Sequence, residues 1–141
     1  MFLQLSIGAL VVSLTVVVEA AFIGVAIRTL LRIGPWFSTP PYAHKSILAL
    51  IGVTLWLLAA LSACIWIWAA MFMSLGVFKE LEPALYFSIT AFTTLGFGDI
   101  VLPAQWRLLS GVSAANGLLF FGLSTAFLVE ILDKLRKAQN A

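Results

Sequence analysis

Three long runs of apolar residues, separated by short stretches that carry charges, dominate the chain. Before Ile27 the only charged residue is Glu19, no charge lies between Lys45 and Lys79, and residues 108–129 are uncharged as well. A helix needs about 20 apolar residues to cross the hydrocarbon core of a membrane. The pattern therefore predicts three transmembrane helices, within residues 1–32, 46–76 and 105–136.

A fourth uncharged run, residues 83–98, is short for a span and ends in glycines. Its length fits a re-entrant segment. Pro83 suits the first turn of a helix, and Glu80 and Glu82 precede or join that turn, near the positive end of the helix dipole. We expect a short helix over 83–94 and a loop over 94–99. The predicted fold class is an all-α membrane protein, with three transmembrane helices plus a re-entrant helix and loop.

Composition agrees with a membrane protein and excludes several other classes. Hydrophobic residues make up 62% of the chain and charged residues only 10%, whereas soluble domains carry roughly 25% charged residues. One cysteine excludes a disulfide scaffold, and a net charge of +2 is too small for a nucleic-acid-binding face. No phosphate-binding loop, metal cluster or nucleophile–base pair is present. We therefore expect no enzyme, no cofactor and no organic substrate, and membrane lipids as surroundings.

The distribution of Lys and Arg predicts the orientation of the chain. Basic residues flank the first connection, residues 33–45, and follow the third span. Because such residues concentrate on the cytoplasmic side, the N-terminus should lie outside and the C-terminus inside a plasma (inner) membrane. Glycine and prolines predict a turn-rich connection, with aromatic interface anchors. The residues concerned are Arg28, Arg32, Gly34, Pro35, Trp36, Phe37, Pro40, Pro41, Tyr42, Lys45, Lys134, Arg136 and Lys137.

The segment Thr93-Thr94-Leu95-Gly96-Phe97-Gly98-Asp99 carries the chemistry. A dehydrated monovalent cation needs several oxygens at close range, and rings of backbone carbonyls can supply them. Successive carbonyls point the same way only where alternate residues take positive φ, which glycine does without steric cost. Gly96 and Gly98 alternate as required, and Thr94 can add a hydroxyl oxygen. Since one chain offers one strand, a closed ring requires several subunits around an axis.

This segment resembles the selectivity filter of potassium channels, in which Thr-Val-Gly-Tyr-Gly loops present carbonyl oxygens to the ion. Outer helix 46–76, pore helix 83–94, filter 94–99 and inner helix 105–136 follow the family's order. The string from Gly117 to Ala126 is similar to the family's inner-helix pattern. The chain looks like a small prokaryotic-type subunit with one extra N-terminal transmembrane helix. The resemblance covers residues 46–137.

The resemblance implies a homotetrameric channel that conducts K+ passively, and it assigns roles position by position. The implied K+-binding residues are Thr94, Leu95, Gly96 and Phe97. Filter mouth and support are Gly98, Asp99, Thr93 and Tyr86, with Tyr86 bonding Asp99. Cavity and gate residues are Gly117, Leu118, Phe121, Gly122, Thr125 and Val129. Gly117 has two readings, a gating hinge or a site of close helix packing.

Three departures from the family pattern bear on selectivity. Leu95 replaces the usual valine, Phe97 replaces a tyrosine and lacks its hydroxyl, and Thr90 stands where some members have a buried carboxylate. A weakly selective monovalent cation channel is therefore an alternative. A non-conducting membrane scaffold or accessory subunit with the same fold is another.

Several charged residues have both a functional and a structural reading. Glu19, deep in the first span, is a candidate regulatory group or a structural glutamate against another helix. Asp99, with the two glutamates before the pore helix, could concentrate cations at the outer mouth or be ordinary solvated charge. Glu130 and Asp133 could line the inner mouth or pair with lysines at helical spacing. The first span lacks the arginine repeat of a voltage sensor. Voltage sensing by this span is therefore not expected, and the sequence assigns no gating stimulus.

Overall fold

The computed structural model describes residues 2–37 and 42–139, which form four α-helices. Their bounds are α1 Phe2–Phe37, α2 Tyr42–Ser74, α3 Leu81–Phe92 and α4 Arg107–Gln139. No strand occurs in these two ranges. The stretches Phe2–Gly34, His44–Ser74 and Arg107–Lys137 are long and apolar enough to cross a membrane. The fold class is the predicted one: all-α, with three membrane spans and a short fourth helix between the second and third.

The helices around the first connection extend further than expected. The sequence predicts a turn-rich linker over 33–45, but α1 continues through Gly34 and Pro35 to Phe37, and α2 already begins at Tyr42. A proline inside a helix removes one backbone hydrogen bond and crowds the carbonyl four residues earlier, but Pro35 lies two residues before the helix end, so this cost falls on the final turn alone. Residues 38–41 and the side chains of the expected interface anchors, Trp36, Phe37 and Tyr42, lie outside the described part of the structure.

Two apolar clusters hold the four helices together. The larger one joins one half of the bundle to α3 and is built around fully buried Trp68, Phe72 and Phe92. The rings of Phe72 on α2 and Phe87 on α3 meet edge to face, with centroids 5.2 Å apart. The second cluster lies toward the other end of the spans. It comprises Ala26, Val53, Leu57, Phe127, Ile131 and Leu135.

The first helix packs against the rest of the fold and also forms polar contacts with α4. The side-chain amide of Asn116 donates to Oγ1 of Thr15 over 2.6 Å, and the hydroxyl of Ser124 donates to Oε1 of Glu19 over 3.4 Å. All four side chains are buried. Hydrogen bonds of this kind stabilise helix pairs inside membranes. The N-terminal helix is thus tied to the inner helix on both sides of Gly117.

Candidate functional site

The short helix α3 is anchored on one face and open on the other. Its first turn contains Glu82 and Pro83, and it is preceded by Glu80 in an extended conformation (φ −116°). The buried face carries Ala84, Phe87, Ser88, Thr90 and Phe92. Because this face packs on the aromatic cluster of α2, the direction of α3 is fixed, and so is the point at which the glycine-containing loop begins.

The end of α3 holds the start of the loop through backbone hydrogen bonds. The amide of Thr93 donates to the carbonyl of Ile89 over 2.9 Å, and the amide of Thr94 donates to Ala91 over 3.0 Å. The amide of Gly96 then reaches back to the carbonyl of Thr90 over 3.0 Å. Carbonyls that a helix end would leave without partners therefore shape the first half of the loop.

Left-handed backbone conformations alternate along the loop. φ is +61° at Thr94, +50° at Gly96 and +79° at Gly98. The sequence predicts the two glycines but not Thr94, which is the one non-glycine residue with positive φ in the described ranges. A β-branched residue is unusual there, since helices mostly end on glycine in this conformation. The bonds of the helix end to residues 94 and 96 account for the exception.

A side-chain hydrogen bond fixes the far end of the loop. Oη of Tyr86, on α3, donates to Oδ2 of Asp99 over 2.6 Å, as the resemblance implies. This bond is the main reason that the pKa of Asp99 lies below its ordinary value, and that the pKa of Tyr86 lies above its own. Since the bond favours the carboxylate and the neutral phenol, the two shifts agree. The loop is thereby held at both ends by α3.

The loop formed by residues 94–99 is exposed on the single chain. Residues 94–99 are all exposed, and the side chains of Leu95 and Phe97 are 57% and 67% accessible. Two large apolar side chains are thus exposed side by side on this loop. Glu80 and Glu82 are exposed as well, in the same part of the molecule as the start of α3.

The inner helix α4 presents two distinct faces. Residues 118, 121, 125 and 129 are exposed and recur at helical spacing, so they form one stripe, which we call the exposed stripe. Gly122 lies on the same side and is also exposed. The opposite face is buried and carries Asn116, Phe120, Ser124 and Phe127. The residues predicted to line a cavity, Leu118, Phe121, Thr125 and Val129, therefore share one face that faces away from the subunit core.

Gly117 is a point of close approach between α4 and the end of α3. A Cβ atom built on Gly117 would overlap the carbonyl oxygen of Phe92, the last residue of α3. Helix α4 runs without interruption through this position. Of the two readings of Gly117, close packing thus has direct geometric support. This contact places the loop that follows α3 and helix α4 in a fixed relation.

The remaining charged candidates fall into two groups. Glu19 is 4% exposed and meets Ser124 on α4, while the thiol of neighbouring Cys64 donates to the carbonyl of Thr15 over 3.7 Å. Glu130 forms an exposed ion pair with Lys134 at 2.7 Å, one helical turn away. Asp133 is exposed. Of these side chains, Glu19 is the one placed between helices.

A family model described as "Ion channel" matches residues 53–134, which is more than half of the chain. The chain belongs to this ion channel family. Searches of curated proteins and of solved structures found no match. The matched part of the channel starts in α2, includes α3 and the whole loop, and ends in α4 at Lys134. Helix α1 precedes it. Together with the three apolar spans, the family makes this chain an integral membrane protein of the ion channel type.

Sequence reasoning missed two contacts of this channel. They are the carbonyl of Thr90 that bonds Gly96, and the buried hydrogen bond between Thr15 and Asn116. A sequence signal for the bond between α1 and α4 did exist. The apolar first span contains two polar residues four positions apart, Thr15 and Glu19, which indicates a polar contact on one face of that helix. The amide of Asn116, in an otherwise apolar stretch of α4, was the matching signal on the partner helix. No sequence signal marks the first contact, because it involves only backbone atoms.

Proposed function

We propose that this channel is a homotetramer that conducts K+ selectively and passively through a central pore. The observation that carries the proposal is the alternation of positive φ at residues 94, 96 and 98 in a loop held at both ends. Alternation of this kind turns successive carbonyls to the same side of the loop. Four copies around an axis would then stack rings of oxygens that replace the hydration shell of the ion.

The proposed ion sites lie between Thr94 and Phe97. The carbonyl oxygens of Thr94, Leu95, Gly96 and Phe97, with the hydroxyl of Thr94, would surround K+. Gly98, Asp99, Thr93 and Tyr86 would hold the mouth and base of the filter. The exposure of the loop in the single chain supports contact with neighbouring copies, because a strand that supplies a quarter of each ring needs three others to close it.

The pore below the filter would be lined by the exposed stripe of α4. The negative C-terminal end of α3, near Thr93, favours a cation in the cavity. A narrow ring of Phe121 or Val129 could close the pore by dewetting. Because Gly117 packs against the carbonyl of Phe92, a shift of the inner helix would also move the base of the filter.

We further propose that the channel lies in the plasma (inner) membrane with its N-terminus outside and its C-terminus in the cytoplasm. The basic residues around the first connection and at the end of α4 support this orientation. Asp99 and the filter mouth would then face the outside. Glu19, buried against the inner helix, is the proposed regulatory residue.

Ion flux into liposomes tests the proposal. Purified channel is reconstituted into vesicles, and uptake of K+ and of Na+ is compared under the same gradient. Uptake of K+ well above that of Na+ is expected. Equal uptake of both ions would favour a weakly selective cation channel, and no uptake across a range of pH and voltage would favour a scaffold or accessory subunit. Cross-linking whose largest species at saturation does not contain four chains would contradict the tetramer.

A further inference from the structure

A groove of about 330 Å³ lies between the loop that follows α3 and the first two turns of α4. The loop side of the groove carries the exposed side chains of Phe97 and Val101. The α4 side carries small residues at positions 110, 111 and 114, so this helix leaves room for a neighbouring element. Arg107, the first residue of α4, also lines the groove and is exposed. The groove is therefore mostly apolar, with a cation at the end where α4 begins.

The opposite side of α3 presents a surface of complementary character. Glu82, Leu85 and Ile89 recur at helical spacing and share one face, which we call the α3 stripe. Glu82 and Ile89 are exposed, and Leu85 is half-buried. Residues 87, 90 and 91, which line the groove, lie about half a turn around α3 from this stripe. Each chain thus carries the groove on one side of α3 and the stripe on the other, as a head-to-tail contact between copies requires.

The α3 stripe and the α4 wall of the groove have the same length and direction. Residues 82–89 and residues 107–114 each extend over seven positions, roughly 10 Å of helix. Helix α3 ends at Phe92 against Gly117, well inside α4, so the two helices run in the same direction. In both surfaces the charged residue comes first and the apolar or small residues follow. A stripe laid along the groove of another copy would therefore bring the two charged residues together.

The charges of the two surfaces are opposite. In the part of the chain that the structure describes, neither Glu82 nor Arg107 forms an ion pair with another side chain of the same copy. Arg107 begins α4, and the positive end of a helix dipole disfavours a cation there. A carboxylate supplied by another copy would offset this unfavourable charge. The charge complementarity thus favours a second copy of the chain over lipid as the neighbour of the groove.

We propose that the α3 stripe of each subunit docks into the groove of the next subunit, with Glu82 of one copy paired to Arg107 of its neighbour. Ile89 then packs against Phe97 and Val101 of that neighbour. This inference rests on the proposed ring of subunits and names the two surfaces that close it. Because one wall of the groove belongs to the loop that would form the filter, each subunit supports the loop of the next from behind.

Cross-linking between introduced cysteines tests the contact in membranes. The buried Cys64 is first replaced by alanine, and Glu82→Cys/Arg107→Cys then places one thiol on each surface. A short bifunctional maleimide is used, because a glutamate–arginine pair holds backbones further apart than a disulfide can bridge. We expect covalent species of two, three and four chains on denaturing gels, whereas either single-cysteine variant can link two chains at most.

The matched control moves one thiol to another face of α4. Glu82→Cys/Leu108→Cys places it at an exposed residue next to Arg107 that does not line the groove. This control should yield several-fold less of the four-chain species. Equal yields from the two double variants, or no species larger than two chains from Glu82→Cys/Arg107→Cys, would overturn the proposal. The second of these outcomes would mean that the α3 stripe faces lipid.

Neutral variants test the ion pair itself and change only exposed side chains. The fraction of monomer after a fixed heating step in detergent is measured for Glu82→Gln, for Arg107→Gln and for the double variant. Each single variant should raise this fraction about twofold or more, and the double variant should raise it no further, because two groups that form one pair do not act additively. Glu80→Gln, an exposed carboxylate just before α3, is the control, and its effect should add to that of Arg107→Gln. Additive effects of Glu82→Gln and Arg107→Gln would overturn the ion pair.

This contact and the proposed conduction of K+ can fail separately. A protein that takes up K+ into liposomes but lacks the cross-links between positions 82 and 107 would contradict the contact alone. A protein that forms these cross-links but transports no ion would support the contact and contradict the channel function.

Discussion

Oη of Tyr86 donates a hydrogen bond to Oδ2 of Asp99 over 2.6 Å, and this bond links the middle of α3 to the far end of the loop 94–99. Thirteen positions separate the two residues in the chain. The inner end of the same loop is held by the carbonyl of Thr90, which accepts from the amide of Gly96. With both ends bound to one rigid helix, the loop between them has little freedom to widen. In the proposed channel this restraint matters for selectivity, because Phe97 has no hydroxyl with which to anchor the middle of the loop.

Removing the hydroxyl of Tyr86 should loosen the outer mouth. In Tyr86→Phe the ring and its packing remain, but Asp99 loses its donor. We expect the ratio of K+ to Na+ uptake to fall by a factor of about three, with the helical content unchanged, because a hydrogen bond to a charged group is lost. The measurement is paired ion uptake into liposomes. Asp99→Asn, which keeps an acceptor for the phenol, should lose less selectivity, and an equal or larger loss in that variant would argue that charge at the mouth dominates.

The same pair predicts how selectivity responds to pH. The bond to Tyr86 lowers the pKa of Asp99, so its contribution is present above the ordinary Asp pKa and is lost only as pH falls through the lowered value. The pKa of Tyr86 is raised by the bond, so the phenol stays protonated up to and beyond its ordinary pKa of about 10. The ratio of K+ to Na+ uptake should therefore be constant from about pH 5 to about pH 8. A loss of selectivity within that window would mean that the bond does not govern the mouth.

Gly96→Ala should abolish conduction through backbone strain alone. A Cβ at this position meets no atom of the chain within 4 Å, but the residue has a φ of +50°, which side-chain-bearing residues rarely adopt. The strain costs roughly 1–2 kcal/mol per chain, and it would act in every copy of the ring. Gly24→Ala is the matched control, since Gly24 lies within α1 and a Cβ there also meets nothing within 4 Å. Unchanged K+ uptake by Gly96→Ala would contradict the proposed filter.

Gly117→Ala tests whether the inner helix must touch the end of α3. The added methyl group would overlap the carbonyl of Phe92, which is backbone and cannot rotate away. We expect α4 to shift, the midpoint of thermal unfolding in detergent to fall, and K+ uptake to drop by about tenfold or more, given a typical cost of 1–3 kcal/mol for overpacking. Gly52→Ala, on α2 with nothing within 4 Å of an added Cβ, should behave like the unmodified channel. A stable, fully conducting Gly117→Ala protein would remove the packing role.

The fold and the candidate site differ in how much of each the sequence predicts. The three spans follow from the absence of charge, because an unpaired charge is costly in the bilayer, and that signal is strong without any knowledge of packing. The ends of the helices do not follow in the same way. Gly34 and Pro35 predict a turn, yet α1 continues through them to Phe37, because the lost hydrogen bond and the crowding that a proline causes affect only the final turn of a long apolar helix.

In the site, the glycines were predictable and their neighbours were not. Positive φ can be predicted at Gly96 and Gly98, because glycine adopts it without steric cost. At Thr94 the residue type predicts negative φ instead. Its left-handed conformation depends on a hydrogen bond to the carbonyl of Ala91, which is a backbone contact that no side chain encodes. At position 117, a gating hinge and a close helix contact would both favour glycine. The position of the Phe92 carbonyl is what supports the close contact. Sequence thus identifies residues that permit a conformation, and the structure shows what enforces it.

The last prediction concerns Glu19 and the response of the channel to pH. Its carboxylate is buried between helices, accepts a hydrogen bond from Ser124 on α4, and lies near the thiol of Cys64 on α2, the titratable group that faces it from that helix. Adding a proton to Glu19 would remove its charge and add a donor to a group that until then only accepts, and so change how α1 holds the inner helix. Glu19→Gln imposes the neutral, donor-containing form at every pH. We expect K+ uptake by the unmodified channel to vary between about pH 5 and about pH 8, and uptake by the variant to be flat. The ratio of K+ to Na+ uptake should be unchanged, because α1 precedes the pore segment and supplies no filter oxygen.

Ser124→Ala, which removes the hydrogen-bond partner of Glu19 but keeps the carboxyl group, should alter the size of the pH response without abolishing it. Identical pH profiles for all three proteins would reduce Glu19 to a structural residue that joins α1 to α4.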